Sequence, residues 1–169
     1  MKLMPLGAAS LAVLITGCAA SPELTSCLQP NRRVVVEVGG IKVKPPPKNK
    51  PAAKPGRENV LLKTFVQGDQ AWEYGGAVLK DGGKTELDKL VKLVNEGTKR
   101  DTRPTKVGSV IVAGHIDRLE SDAGMKNLDE DRAKAVKNYL VSKGVDSKLI
   151  FWEGQDDREP VPVTKFCAD

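Results

Sequence analysis

Two charged residues are spaced so that together they could hold a small charged ligand. Asp117 ends the stretch Gly114-His115-Ile116-Asp117, which follows the β-branched run Val107–Ala113. That run predicts a strand, so Asp117 falls just past its C-terminal end. Arg132 comes fifteen residues later, in the first turn or two of a helix predicted over Leu128–Lys143. A carboxylate at a strand end accepts hydrogen bonds from an ammonium, and a guanidinium grips a carboxylate in two places. The positive end of the helix adds to that attraction. Such a pair suits a zwitterion, each charge-assisted contact contributing about 1.5–3 kcal/mol. Other roles are open to the same side chains: Asp117 can cap a turn, and Arg132 can pair with Glu130, Asp131 or Asp117. His115 is the one histidine in the chain, and it reads as a packing or hydrogen-bonding residue. A histidine metal cluster or a Ser-His-Asp triad therefore has little material. With no nucleophile–base pair or metal motif, the expectation is a binding protein without enzymatic activity, metal or cofactor.

The elements that must position this pair follow from periodicity. Val34-Val35-Val36-Glu37-Val38 reads as a strand stopped by Gly39-Gly40, and Val60–Val66 as a second. Gly68–Gly76, with Trp72 and Tyr74 as core or loop anchors, reads as a loop or irregular strand end. Leu87, Leu90, Val91 and Val94 form one apolar stripe of a helix over Thr85–Glu96, with Thr85 and Asp88 as a capping-box-like start and Gly97 as its stop. Val107–Ala113 is the third strand, and Arg118–Lys126 a polar loop. The second helix has Asn127 as N-cap, Ala133, Val136 and Leu140 facing inward, and Gly144 as C-terminal stop. Leu149–Trp152 is the last strand. The order β, β, α, β, α, β predicts an α+β fold, a two-layer sandwich of two helices on a four-stranded mixed sheet.

Val110-Ile111-Val112-Ala113-Gly114-His115-Ile116-Asp117 and Asn127-Leu128-Asp129-Glu130-Asp131-Arg132-Ala133-Lys134-Ala135-Val136 resemble two motifs of the OmpA-like peptidoglycan-binding domain. These are its strand ending Gly-His-Thr-Asp and its helix start Leu-Ser-x-x-Arg-Ala-x-x-Val. Tyr139-Leu140, Gly144-Val145 and Ile150 continue the likeness. The resemblance implies a ligand, the uncrosslinked diaminopimelate of a peptidoglycan stem peptide. Its ammonium would go to Asp117 and its carboxylate to Arg132. Asn127 would lie close by, and Arg32 or Arg33 would add a contact from the strand beside the site. Four positions depart from the family pattern: Ile116 for Thr, Glu120 for Gly, Met125 for Asn and Asp129 for Ser. The family's last strand begins Asn-Arg-Arg-Val. Here that motif stands at Asn31-Arg32-Arg33-Val34, near the other end of the chain, which implies a circular permutation. In some members a cysteine precedes the motif, as Cys27 does here, and pairs with one placed like Cys167.

The N-terminus implies an envelope address. Lys2 precedes an uncharged stretch, Leu3–Gly17, too short to span a bilayer but long enough for a signal peptide. Leu14-Ile15-Thr16-Gly17-Cys18 resembles the lipobox of bacterial lipoproteins, with diacylglycerol on Cys18; cleavage near Ala19-Ala20 is the alternative. Ala19 after the cysteine goes with outer-membrane delivery, and more than one acyl chain gives stable anchoring. The expected organisation is a signal peptide over 1–17, a tether over 18–26 and a permuted domain over 27–169. About 150 residues then remain, enough for one core. With Cys18 lipidated, Cys27 and Cys167 are left, and two thiols in an oxidising compartment usually pair. Closing so long a loop would stabilise by roughly 4–5 kcal/mol in the chain-entropy model. The formal charge of +5 is mild. Much of it sits in Lys42, Lys44, Lys48, Lys50, Lys54 and Arg57, which alternate with Pro45, Pro46, Pro47, Pro51 and Pro55. This reads as an extended linker over 41–58, a solvated spacer with at most weak attraction to anionic polymers, and not as a nucleic-acid surface. The expected partners are peptidoglycan, outer-membrane lipid through Cys18 and envelope proteins, with the domain in the periplasm. The rival reading is a structural subunit of an envelope-spanning secretion or conjugation assembly, using the same fold for protein contacts.

Overall fold

Alternation along the strands decides which way the sheet faces. The computed structural model describes residues 21–43 and 56–163. In β1 (Arg33–Val43) the side chains of Val34, Val36 and Val38 point one way and are almost wholly buried. Val66 of β2 (Arg57–Gln67), Val110 and Val112 of β3 (Lys106–His115) and Ile150 of β4 (Ile150–Gly154) join them on that face. Two helices close over this face: α2 (Asp81–Glu96) contributes Leu87 and Leu90, and α4 (Leu128–Ser142) contributes Ala133, Val136 and Leu140. Trp72 is fully buried in the same core and donates its indole N–H to the Val66 carbonyl. The opposite face of the sheet keeps Leu61, Phe65, Ile111 and Phe151 exposed.

The strand order is β2-β1-β3-β4. β1 is antiparallel to both of its neighbours, and β3 and β4 are parallel. β2 and β3 therefore run the same way, with the crossover α2 between them in sequence and β1 between them in space. α4 is the crossover from β3 to β4. The expected α+β sandwich, two helices on a four-stranded mixed sheet, is what the chain adopts.

Several boundaries differ from expectation. Gly39-Gly40 does not stop β1, which continues to Val43 paired with β2 along its whole length. The β1–β3 register shifts at these glycines. A β-carbon on Gly40 would meet the Lys106 carbonyl and the Thr105 side chain at 2.6 Å, so the pair marks a close approach inside the strand. The linker expected over 41–58 is correspondingly shorter, since both of its ends lie in strands; residues 44–55 fall outside the described part. α2 begins at Asp81, one turn before the expected start. Thr85 donates back to the Asp81 carbonyl and Asp88 accepts from Tyr139, so neither caps it. The tether region contains a short helix, α1 (Pro22–Cys27), capped by Ser21. The polar loop after β3 contains another, α3 (Arg118–Asp122). The segment expected to be a signal peptide, with Cys18, and Cys167 lie outside the described residues.

Candidate functional site

The loop after β3 and the first turns of α4 meet at one pole of the sandwich. Asp117 follows β3 and is the N-cap of α3: its Oδ1 accepts from the backbone N–H of Glu120 at 2.9 Å. Glu120 Oε2 reaches back to the backbone N–H of Asp117 at 3.2 Å, completing a capping box. Asp117 thus does cap, as its type and position allowed, and it caps a helix with only one of its two oxygens. Its Oδ2 accepts from Arg32 Nη1 at 2.7 Å, both side chains being fully buried. Burial pushes the Asp117 carboxyl above its ordinary range, opposed by the Glu120 amide and by Arg32.

Arg132 sits on the second turn of α4, also fully buried. Its partner is neither Glu130, Asp131 nor Asp117. Nη2 and Nη1 donate to Glu120 Oε1 and Oε2 at 2.6 and 2.7 Å, a bidentate fork. The rest of the guanidinium is also engaged, with Nε donating to the Gly76 carbonyl at 2.9 Å and Nη2 to that of Glu73 at 3.2 Å. Its carbon lies 5.7 Å from the Trp72 ring centroid. Glu120 takes a further bond from the Gly75 amide at 2.9 Å. Met125 packs over this corner, its Sδ and Cε 3.3 Å from where a β-carbon on Gly75 would lie.

The expected site residues therefore divide. Asp117, Arg132 and Arg32 converge. Arg32 also donates to the Thr25 carbonyl at 2.9 Å and pairs through Nη2 with Asp69. Arg33 does not join them: it points to the other side of β1 and donates to the Glu159 carbonyl at 2.8 Å, beside His115. Arg32 closes the 3-10 turn before β1 whereas Arg33 is the first residue of the strand, and the two side chains leave in different directions. Asn127 precedes α4 with φ of 64° but makes no capping bond, and its side chain is exposed. Asp129 is buried but faces the tail, accepting from the Asp156 amide at 2.9 Å. Ile116 is buried and apolar. His115 is buried, with Nδ1 at 3.3 Å from the Arg158 carbonyl, in keeping with a packing and hydrogen-bonding role. Sequence reasoning noted Glu120 as a departure but missed its role as the centre of the cluster. The signal was present: Asp117-x-x-Glu120 has the spacing of a capping box, which predicts a helix start and an inward-turned glutamate. Asp69 carried no signal beyond its place in a Gly-flanked loop.

The OmpA family profile matches residues 71–165, which include Asp117, Glu120 and Arg132. The chain belongs to the OmpA family. The matched stretch of the OmpA domain begins after β1 and β2. Among its relatives is Outer membrane protein A of Escherichia fergusonii, 35% identical over 103 residues that make up 60% of this chain and 40% of that protein. Outer membrane protein A of Atlantibacter hermannii is 36% identical over the same length, again 40% of that protein. Outer membrane protein A of Shigella flexneri is 35% identical, with 28% of its length aligned. The chain thus spans well under half of the OmpA relatives it matches. Among solved structures, the OmpA-like domain of FopA1 from Francisella tularensis subsp. tularensis SCHU S4 aligns over 94% of this chain and 84% of that one, at 20% identity and a TM-score of 0.45.

Proposed function

We propose that this chain is a non-catalytic envelope module that recognises the free, zwitterionic end of a peptidoglycan stem peptide through Asp117 and Arg132. One observation carries the reading. The pole formed by the β3 loop and α4 holds a cation on Asp117 and a carboxylate on Arg132, both buried. These are the two charges that the free end of diaminopimelate presents. Membership of the OmpA family supports the same reading. A lipid on Cys18 would anchor the module to the outer membrane, with the domain in the periplasm tethering that membrane to the wall. Full-length protein mixed with purified sacculi should pellet with them, and Asp117→Ala and Arg132→Ala should each reduce the bound fraction by about tenfold. Equal partitioning of all three into the supernatant would sink the reading.

The circular permutation belongs to the same proposal. β1, the Asn-Arg-Arg-Val strand, fills the gap between β2 and β3, the two strands joined through α2. The tail returns to its start: Asn31 Oδ1 accepts from the Val161 amide at 2.6 Å, and Asn31 Nδ2 donates to the Val161 carbonyl at 3.4 Å. Pro160 and Pro162 line one groove with Leu24 and Leu28, flanking Cys27 in sequence. Cys27 is disulfide-bonded, and Cys167 is the partner this geometry favours.

A second reading has an observation of its own. Both charges of the pair are satisfied inside the fold, as they would be in a structural subunit of an envelope-spanning assembly that uses the domain for protein contacts. A stable complex recovered from membranes, together with no binding to sacculi, would establish it.

A further inference from the structure

Four donors converge on the Glu120 carboxylate: Nη1 and Nη2 of Arg132 and the backbone amides of Gly75 and Asp117, at 2.7, 2.6, 2.9 and 3.2 Å. A fork with two added amides is a complete seat for one carboxylate. Nothing about the seat requires that the carboxylate be covalently part of the chain. Glu120 reaches it from α3, which Asp117 caps, so the element that carries the anion is itself held by the other half of the site. Asp117 in turn has its remaining oxygen on Arg32, which also bonds α1 through Thr25. The two internal ions are thus placed as the two ends of a bound zwitterion would be.

We propose that Glu120 is a built-in occupant of the carboxylate seat, and that it competes with the stem peptide for that seat and so weakens binding in the native chain. This inference rests on the assignment of Asp117 and Arg132 to stem-peptide recognition. An anion fixed on the same loop sits at a far higher effective concentration than a free ligand reaches. A free carboxylate must therefore displace Glu120 before it can reach Arg132. The class of ligand the seat accepts once Glu120 is gone is a small carboxylate, including the carboxylate end of an amino acid. Glu120→Ala removes one methylene and one carboxylate, and acetate replaces those atoms group for group.

The test uses the full chain in detergent. Acetate should raise the melting temperature of Glu120→Ala in a saturable way, while chloride at equal ionic strength does not. Wild type, Glu120→Gln and Glu120→Ala/Arg132→Met should not respond, because the seat is filled in the first two and lacks its fork in the third. If Glu120→Ala is unfolded in chloride, it should refold in acetate. A folded variant indifferent to acetate, or an unfolded one that acetate does not restore, overturns the proposal. In the second arm, Glu120→Ala kept in acetate-free buffer should pellet with sacculi about ten- to a hundredfold more than wild type. Wild type pelleting as strongly as the variant overturns the proposal and leaves the peptidoglycan assignment standing. An acetate response with no pelleting of either protein upholds the occupied seat and overturns the peptidoglycan assignment.

Discussion

At the scale of single residues, the pole of this domain is built from buried charges. Arg32, Asp117, Glu120 and Arg132 all have fully buried side chains. Such pairs stabilise little in net terms, because desolvation offsets the attraction, but removing one partner strands the other at a cost of about 3–5 kcal/mol. His115 lies a few residues away, its imidazole held below the ordinary 6.5 by burial and, secondarily, by Arg33. As the pH falls, the unfolded chain takes this proton first. The stability contributed by neutral His115 is therefore complete above 6.5 and is lost below it, at up to about 1.4 kcal/mol per pH unit for one proton. Asp117 acts in the opposite direction. Its folded carboxyl is raised, so its burial costs most when it is ionised, and protonation on further acidification relieves that cost. Urea midpoints followed from pH 8 downward should fall just under 6.5 in wild type, and the fall should be shallower in His115→Gln. Parallel slopes for the two proteins would exclude His115 as the source.

At the scale of elements, the joint between β3 and α4 decides whether the site residues meet. Gly114 makes that joint: a β-carbon there would stand 2.0 Å from the Asp129 carbonyl oxygen, a backbone atom of the helix. Gly114→Ala should therefore cost about 1–3 kcal/mol by overpacking. Gly108→Ala, whose nearest contact would be an ordinary 3.6 Å, should be close to neutral. Chemical denaturation of both variants checks the contrast, and equal stabilities would mean that α4 does not approach β3 as closely as described. The sandwich was legible because the β-branched runs Val34–Val38 and Val107–Ala113 mark strands, and helical spacing in Leu87–Val94 and Ala133–Leu140 marks a buried helix face. The extension of β1 through Gly39-Gly40 was not. Two glycines read as a stop unless it is known that neighbouring strands pair on both sides. The role of Glu120 was half legible. Its spacing from Asp117 marks a helix start, but its partner Arg132 belongs to a different element, and local spacing does not reveal contacts between elements. Arg32 and Arg33 could not be told apart until the turn before β1 and the strand's first residue were placed.

At the scale of the whole molecule, the segment after β4 meets the segment before β1. β1 is the first strand in sequence and a central strand in space, and the segment after β4 returns to Asn31 at its start. The place of the Asn-Arg-Arg-Val motif at residues 31–34 is what suggests the proposed permutation. What the sequence lacked was the clasp, since an asparagine bonding a backbone more than a hundred residues away leaves no local pattern. Non-reducing peptide mapping should recover Cys27 joined to Cys167. Cys27→Ser should then lower stability by about 2–5 kcal/mol, as for native disulfides in small exported domains. Recovery of Cys27 joined to Cys18 would refute both the pairing and the lipid on Cys18.

The fork of Arg32 has a mechanical consequence. One nitrogen, Nη1, bonds both the Thr25 carbonyl in α1 and the carboxylate of Asp117. The chain passes from α1 through Arg32 directly into β1, so a pull from the N-terminal side is shared between the backbone and this side chain. α1 therefore comes away from the pole only by giving up a hydrogen bond from a buried guanidinium.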